Sequence, residues 1–271
     1  MLKKLFKHEW HSFYFVPTLA FIIFAVISIL LDVSIFTPVW DSENPFFLLF
    51  DIMIIMVYYF GIIAIVLIPQ IICVVRFYKN LFTDEGYLMF TLPVKTSDLL
   101  NAKLLVSFTW QLISYGAVFI SLGTLGIALI NRLSDSVQEF FSDFIEFFEE
   151  LGDAIVETLC VPSWTFVLWL ILIILVSNLL NILYYYTCIC LGQLFNKHKI
   201  LGAIGVYFGL NIVTQFLSRL ILLPIMMMED IDVTAGLVIT LGLLLLLVFT
   251  GICIGMYYLC SHIMKHKLNL E

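Results

Sequence analysis

Six long apolar intervals, almost free of charge, limit what this chain can fold into. They lie at about 13-31, 47-75, 104-130, 164-195, 200-224 and 235-260. A helix crossing the hydrocarbon core of a bilayer needs roughly 20 such residues, because each adds about 1.5 Å of rise. Backbone amides find no water inside lipid, so a span must satisfy them internally, as a helix or within a closed barrel. Barrel strands read as alternating segments of roughly ten residues, and these intervals are continuous. The expected fold is an all-α membrane protein, a single transmembrane domain over 1-271 with six transmembrane helices. Composition agrees: the chain is 62% apolar and 12% charged, with mean hydropathy +1.09. Soluble domains carry about 25% charged residues. An ordinary soluble enzyme, a nucleic-acid binder and a disordered chain do not fit. The stretch from Trp10 to Leu31 is longer than the apolar part of a secretory signal and lacks a small-residue cleavage site. It is expected to remain as the first span.

Charge sets the expected orientation, because Lys and Arg accumulate in cytoplasmic loops. With the N-terminus inside, Lys3, Lys4, Lys7, Arg76, Lys79, Lys95, Lys103, Lys197, Lys199, Lys265 and Lys267 are cytoplasmic, and only Arg132 and Arg219 are outside. Fifteen of the twenty acidic residues fall outside or at the outer boundary. Both termini are therefore expected in the cytoplasm. Cys73, Cys188, Cys190, Cys253 and Cys260 fall inside apolar runs and are expected as buried free thiols. Cys160 lies near a polar loop.

Three segments outside the spans carry pattern. Residues 1-12 place Leu2, Leu5, Phe6 and Trp10 on one helical face and Lys3, Lys4 and Lys7 on the other. That suits an interfacial helix drawn to anionic lipid, or a plain positive flank. Pro17 is expected to mark the bend into the first span. In 131-163, Asp135, Glu139, Asp143, Glu146, Glu149, Glu150, Asp153 and Glu157 interleave with Val137, Phe140, Phe141, Phe144, Phe148, Leu151 and Ile155. Steps of three and four put the apolar set on one stripe of an extracellular amphipathic helix. It would gate an exit, repel anions, or merely pack on the bundle. Between the fifth and sixth spans, Ser218 to Glu229 is short, apolar and interrupted by Pro224, and Met226, Met227 and Met228 give it an adaptable surface.

The longest cytoplasmic segment is 76-103. Thr83 is placed to cap a short helix, with Asp84 and Glu85 favoured in its first turn. Pro93 ends that helix or the turn after it, and Ser97 is placed to cap the next. Tyr87, Leu88, Phe90 and Leu92 are too apolar for a freely solvated loop, so the lipid interface or a partner must cover them.

Asp84-Glu85-Gly86-Tyr87-Leu88, then Thr91-Leu92-Pro93-Val94 and Leu99-Leu100-x-Ala102-Lys103, resembles the cytoplasmic loop of permease subunits of ABC-2 type transporters from Firmicutes. The resemblance implies six spans, cytoplasmic termini, an N-terminal interfacial helix and a coupling helix between spans two and three. It implies that Thr83, Asp84, Glu85, Gly86, Tyr87, Leu88 and Phe90 contact a separate ATP-binding subunit, which holds the ATP and Mg. It implies a bacterial plasma-membrane location and a dimer, with an identical or paralogous half, whose interface includes span five. Gly202, Gly205 and Gly209 on that span permit close helix approach, although packing within one chain would use them equally well. Re-entrant helices between spans five and six also belong to the resemblance.

No catalytic constellation is present: Walker A, G-x-G-x-x-G and H-E-x-x-H are all missing. His262 and His266 read as part of a basic solvated tail, Cys188 and Cys190 are not a C-x-x-C pair, and no metal ligand set or cofactor is expected on this chain. The polar residues within spans are Asp51, Gln70, Gln111, Asn178, Asn181, Asn211, Gln215 and Arg219. Of these, Gln70, Gln111, Asn178, Asn211 and Gln215 are the pathway candidates, against the common alternative of helix–helix hydrogen bonding. Asp51 lies near the outer end of span two, so no mid-membrane carboxylate supplies ion coupling and the energy comes from a partner. The expected function is the transmembrane subunit of an ATP-driven exporter of a hydrophobic or amphipathic cargo, such as a peptide toxin or bacteriocin. The alternative is an ATP-independent secondary transporter or channel.

Overall fold

The computed structural model describes residues 2–36, 45–83, 86, 95–132, 142, 146, 150, 152–153, 163–195, 198–226 and 235–266. Among them every regular element is an α-helix: α1 (Leu2–Phe13), α2 (Phe15–Phe36), α3 (Pro45–Phe82), α4 (Thr96–Arg132), α5 (Ser163–Gly192), α6 (Lys199–Met226) and α7 (Ala235–His266). Helices α2 to α7 are long and apolar enough to cross a membrane. Their outer surfaces expose side chains that water would not tolerate in such number, among them Phe119 at 81%, Ile212 at 69% and Leu247 at 69%. The chain is a multi-pass membrane protein.

Each expected span falls on one helix, and α3 and α4 overrun their intervals furthest. α3 continues past residue 75 through Arg76 and Lys79 to Phe82, and α4 begins at Thr96, well before residue 104. The segment 76-103 is thus helical at both ends. A charge ends an apolar interval without ending a helix, since Arg and Lys are good helix formers once outside hydrocarbon. At 1.5 Å per residue, α3 is about 57 Å long, far more than the roughly 30 Å of hydrocarbon.

The chain divides into two compact units, one built from 2–73 and 105–150, the other from 74–104 and 151–271. In the first unit, α2, α3 and α4 meet through stripes of buried residues at helical spacing. Phe24, Leu31 and Ile35 pack with Tyr58, Ile65 and Ala128. Between them runs a chain of three buried hydroxyls: Ser28 and Ser121 lie 2.9 Å apart, and Tyr58 is 2.7 Å from Ser121. Lipid offers no competing partner for these groups, so they tie three helices at one level. Pro69, fully buried in α3, withholds a donor from the Ile65 carbonyl.

A second cluster joins α1 to α4. Trp10 stacks on Trp110 at 5.0 Å between centroids, Phe13 lies 5.6 Å from Trp110, and Phe6 stacks on Trp10 at 5.8 Å. The break between α1 and α2 falls at Tyr14, three residues before the expected bend at Pro17. A proline obstructs the carbonyl four residues earlier, here that of Phe13, so the interruption precedes the ring.

In the second unit α5 packs against both α6 and α7. Glycine makes the α5–α6 approach possible, because a Cβ on Gly192 would stand 2.6–2.7 Å from the Cβ, Cα and N of Ala203. The Tyr184 hydroxyl donates to the Tyr207 carbonyl at 2.9 Å, and the Trp169 indole occupies the space left by Gly242. Of 131-163, Ser142, Glu146, Glu150, Gly152 and Asp153 are described; all are helical, and Ser142, Glu146, Glu150 and Asp153 are exposed. The apolar stripe expected there lies outside the described residues; of 218–229, residues 218–226 continue α6 as helix through Pro224, and 227–229 lie outside the described residues.

Two substitutions test this packing. Gly192→Ala sets a methyl against α6 backbone and is expected to destabilise by about 1–3 kcal/mol. Ser121→Ala strands two hydroxyls and is expected to cost about 1 kcal/mol. Thermal unfolding midpoints in detergent should fall for both, and more for the glycine.

Candidate functional site

The connection between α3 and α4 is the segment singled out by sequence. Thr83 and Gly86 are described; Asp84, Glu85, Tyr87, Leu88 and Phe90 lie outside the described residues. The turn that Thr83 is expected to cap falls largely on residues outside the described ones. The Thr83 hydroxyl donates back to the Lys79 carbonyl and closes the last turn of α3, as a threonine in a continuing helix does. The Thr83 carbonyl accepts the Gly86 amide at 2.7 Å, and Gly86 is helical and buried. Ser97 is not a cap. The Lys95 carbonyl accepts from Asp98 at 2.9 Å and Leu99 at 3.3 Å, so Lys95 holds that position and Ser97 lies within the first turn. Asp98 is favoured there by the helix dipole.

Both ends of this connection are fastened to other helices of the second unit. Phe77 of α3 stacks on Tyr186 of α5 at 3.8 Å, with the rings 7° from parallel. The Tyr186 hydroxyl points to the Lys103 carbonyl of α4 at 3.5 Å. The Tyr257 hydroxyl of α7 donates to Asn101 Oδ1 of α4 at 2.9 Å. Phe77, Leu81, Leu100, Lys103 and Tyr186 are all buried. The last turns of α3 and the first of α4 are therefore set in a firm mount. Sequence reading missed these contacts because Phe77 and Tyr186 look like ordinary apolar-run residues, and their meeting depends on the fold.

The pathway candidates separate. Gln70 and Gln111 belong to the first unit, and Asn178, Asn211 and Gln215 to the second. The structure joins Asn211 and Gln215 directly, one turn apart on α6, with Gln215 Nε2 donating to Asn211 Oδ1 at 2.7 Å. Gln215 is exposed. Gln111 and Asn178 are only 3% and 2% exposed, and Gln111 Nε2 and both polar atoms of the Asn178 amide have no partner among the described residues. Buried amides left open in this way are suited to hold water or a passing polar group. Gln111 shares its stripe of α4 with buried Ser107, Ser114 and Ser121.

Among the glycines, Gly202 is used within the chain, its open side filled by the Phe195 ring. Gly205 and Gly209 face open space on the exposed side of α6. Asp51 lies in the second turn of its helix, as expected near one end of the span. It is buried, 7% exposed, on the same inward stripe of α3 as Tyr58, and its Oδ1 has no partner among the described residues. The five described cysteines are free and buried, as expected. Thr187 of α5 lies 3.3 Å from the Cys260 sulfur of α7. No spacing rule in sequence pairs residues so far apart.

Compared with known proteins, the chain matches no family model, no curated protein and no solved structure at a significant level.

Burial makes a prediction about the thiols. Cys73, Cys188, Cys190, Cys253 and Cys260 are all free and buried. A membrane-permeant maleimide should leave these five unmodified in the folded protein and label them after denaturation, as read by mass spectrometry of the peptides.

Proposed function

We propose that this chain is the membrane subunit of an ATP-driven ABC-2 type exporter, working as a dimer with a separate ATPase subunit. The observation that carries the reading is the connection itself. The run Asp84-Glu85-Gly86-Tyr87-Leu88 and Thr91-Leu92-Pro93-Val94 sits at the ends of two helices that both overrun the bilayer. In this reading both termini and the connection are cytoplasmic, as the Lys and Arg distribution favours, and the membrane is a bacterial plasma membrane. ATP and Mg are held by the partner, whose closure moves residues 84-94. Phe77–Tyr186 and Asn101–Tyr257 then pass the motion to α5 and α7. The exposed Gly205 and Gly209 face of α6 suits a second copy or a paralogue. Apolar spans with few buried amides, Gln111 in one unit and Asn178 in the other, suit a hydrophobic or amphipathic cargo, a peptide before a sugar or small ion.

A second reading, an ATP-independent ion-coupled transporter, is favoured by one observation, the buried carboxyl of Asp51. The two separate cleanly. The exporter reading expects an ATP-hydrolysing protein to copurify with the tagged chain from native membranes. Glu85→Ala and Tyr87→Ala should each weaken that association roughly tenfold, about 1.4 kcal/mol, while Asp51→Asn leaves it unchanged. The ion-coupled reading expects no ATPase, and proton uptake into proteoliposomes that Asp51→Asn abolishes.

A further inference from the structure

We propose that α1 is a docking face for anionic phospholipid headgroups, an inference that rests on the membrane-spanning fold and not on the exporter reading. The helix divides its circumference sharply. Lys3, Lys4, Lys7, His8 and His11 are all exposed and occupy one half at helical spacing. Phe6, Glu9, Trp10 and Phe13 occupy the other half, where Glu9 and Phe13 are buried. The single acid of the helix, Glu9, is thereby buried on the half away from the five exposed cations. The aromatic contacts of Trp10 and Phe13 with Trp110 hold α1 so that its cations point outward.

Position selects the partner. Only Tyr14 separates α1 from α2, a membrane-crossing helix whose first residues, Phe15 at 68% and Val16 at 50% exposure, present apolar surface. α1 is therefore held at a bilayer boundary, the level of the lipid phosphates. Three lysines there, each favouring anionic over zwitterionic lipid by roughly fivefold, give a relative affinity on the order of a hundredfold. The attraction is electrostatic and exposed, so salt must weaken it.

The test uses the full chain reconstituted in phosphatidylcholine vesicles containing about 10 mol% phosphatidylglycerol, a fraction on the order of that in anionic membranes. The brominated, fluorescence-quenching chains are carried by one lipid or the other. Trp10 and Trp110 lie behind the cationic face and report on lipid held against it. Brominated phosphatidylglycerol should quench more than brominated phosphatidylcholine at equal mole fraction. The excess should vanish in the Lys3→Gln, Lys4→Gln, Lys7→Gln triple variant and persist in Lys265→Gln. Should the triple variant fail to fold, wild-type protein in about 0.5 M salt gives the same reading, because screening at that strength removes the excess. Equal quenching by the two lipids in wild type overturns the proposal. So does an excess that survives both the triple substitution and salt, which would place the anionic lipid, or an acidic protein surface, elsewhere.

Discussion

Every backbone amide within hydrocarbon must find its partner inside its own helix, and the rest of this structure depends on that requirement. It makes helices obligatory in the six apolar intervals, whatever the side chains. It also removes the usual driving force for assembling them, because lipid tails are as apolar as leucine. What remains to specify the packing is a small set of polar and shape-dependent contacts. Ser28, Tyr58 and Ser121 supply one such set among α2, α3 and α4. The absent side chain of Gly192 and the Tyr184 bond to the Tyr207 carbonyl supply another between α5 and α6.

The same economy shapes the segment on which the functional proposal turns. α3 and α4 continue as rigid helices beyond the thickness a bilayer needs. Their ends are tied by stacking at Phe77–Tyr186 and by hydrogen bonding at Asn101–Tyr257. A push applied to the connection would therefore act on α5 and α7 and not dissipate in a loose loop. That arrangement would serve a subunit that receives work from a partner. Gln111 Nε2, the Asn178 amide and Asp51 Oδ1, without a partner among the described residues, mark buried positions where polarity is retained at a cost. Such positions persist where water, cargo or a conformational change meets them.

Much of the architecture was legible in the sequence because its governing signal, hydropathy over about 20 residues, is one-dimensional. All six spans and the amphipathic division of α1 followed from it. Helix ends were less legible: charge marks where hydrocarbon stops, and α3 and α4 pass through Arg76 and Lys103 without a break. The cap assignment at Ser97 failed for that reason, since it presumed a helix start two residues too late. Contacts between distant residues, such as Thr187 with Cys260 or Ser28 with Ser121, were not legible at all. Serine, threonine and cysteine are ordinary members of an apolar run until the fold brings two of them together. The dimer-face glycines divided on the same ground, because only the packed structure distinguishes Gly202, covered by Phe195, from Gly205 and Gly209.

The central claim, that residues 84-94 seat in an ATP-binding partner, is met most directly by a photocrosslinker in place of Tyr87, activated in intact cells. The account predicts an adduct with a protein bearing a Walker A motif, lost when the crosslinker is moved to exposed Ile212 on α6. Adducts at position 87 confined to lipid, or to this chain itself, would contradict it.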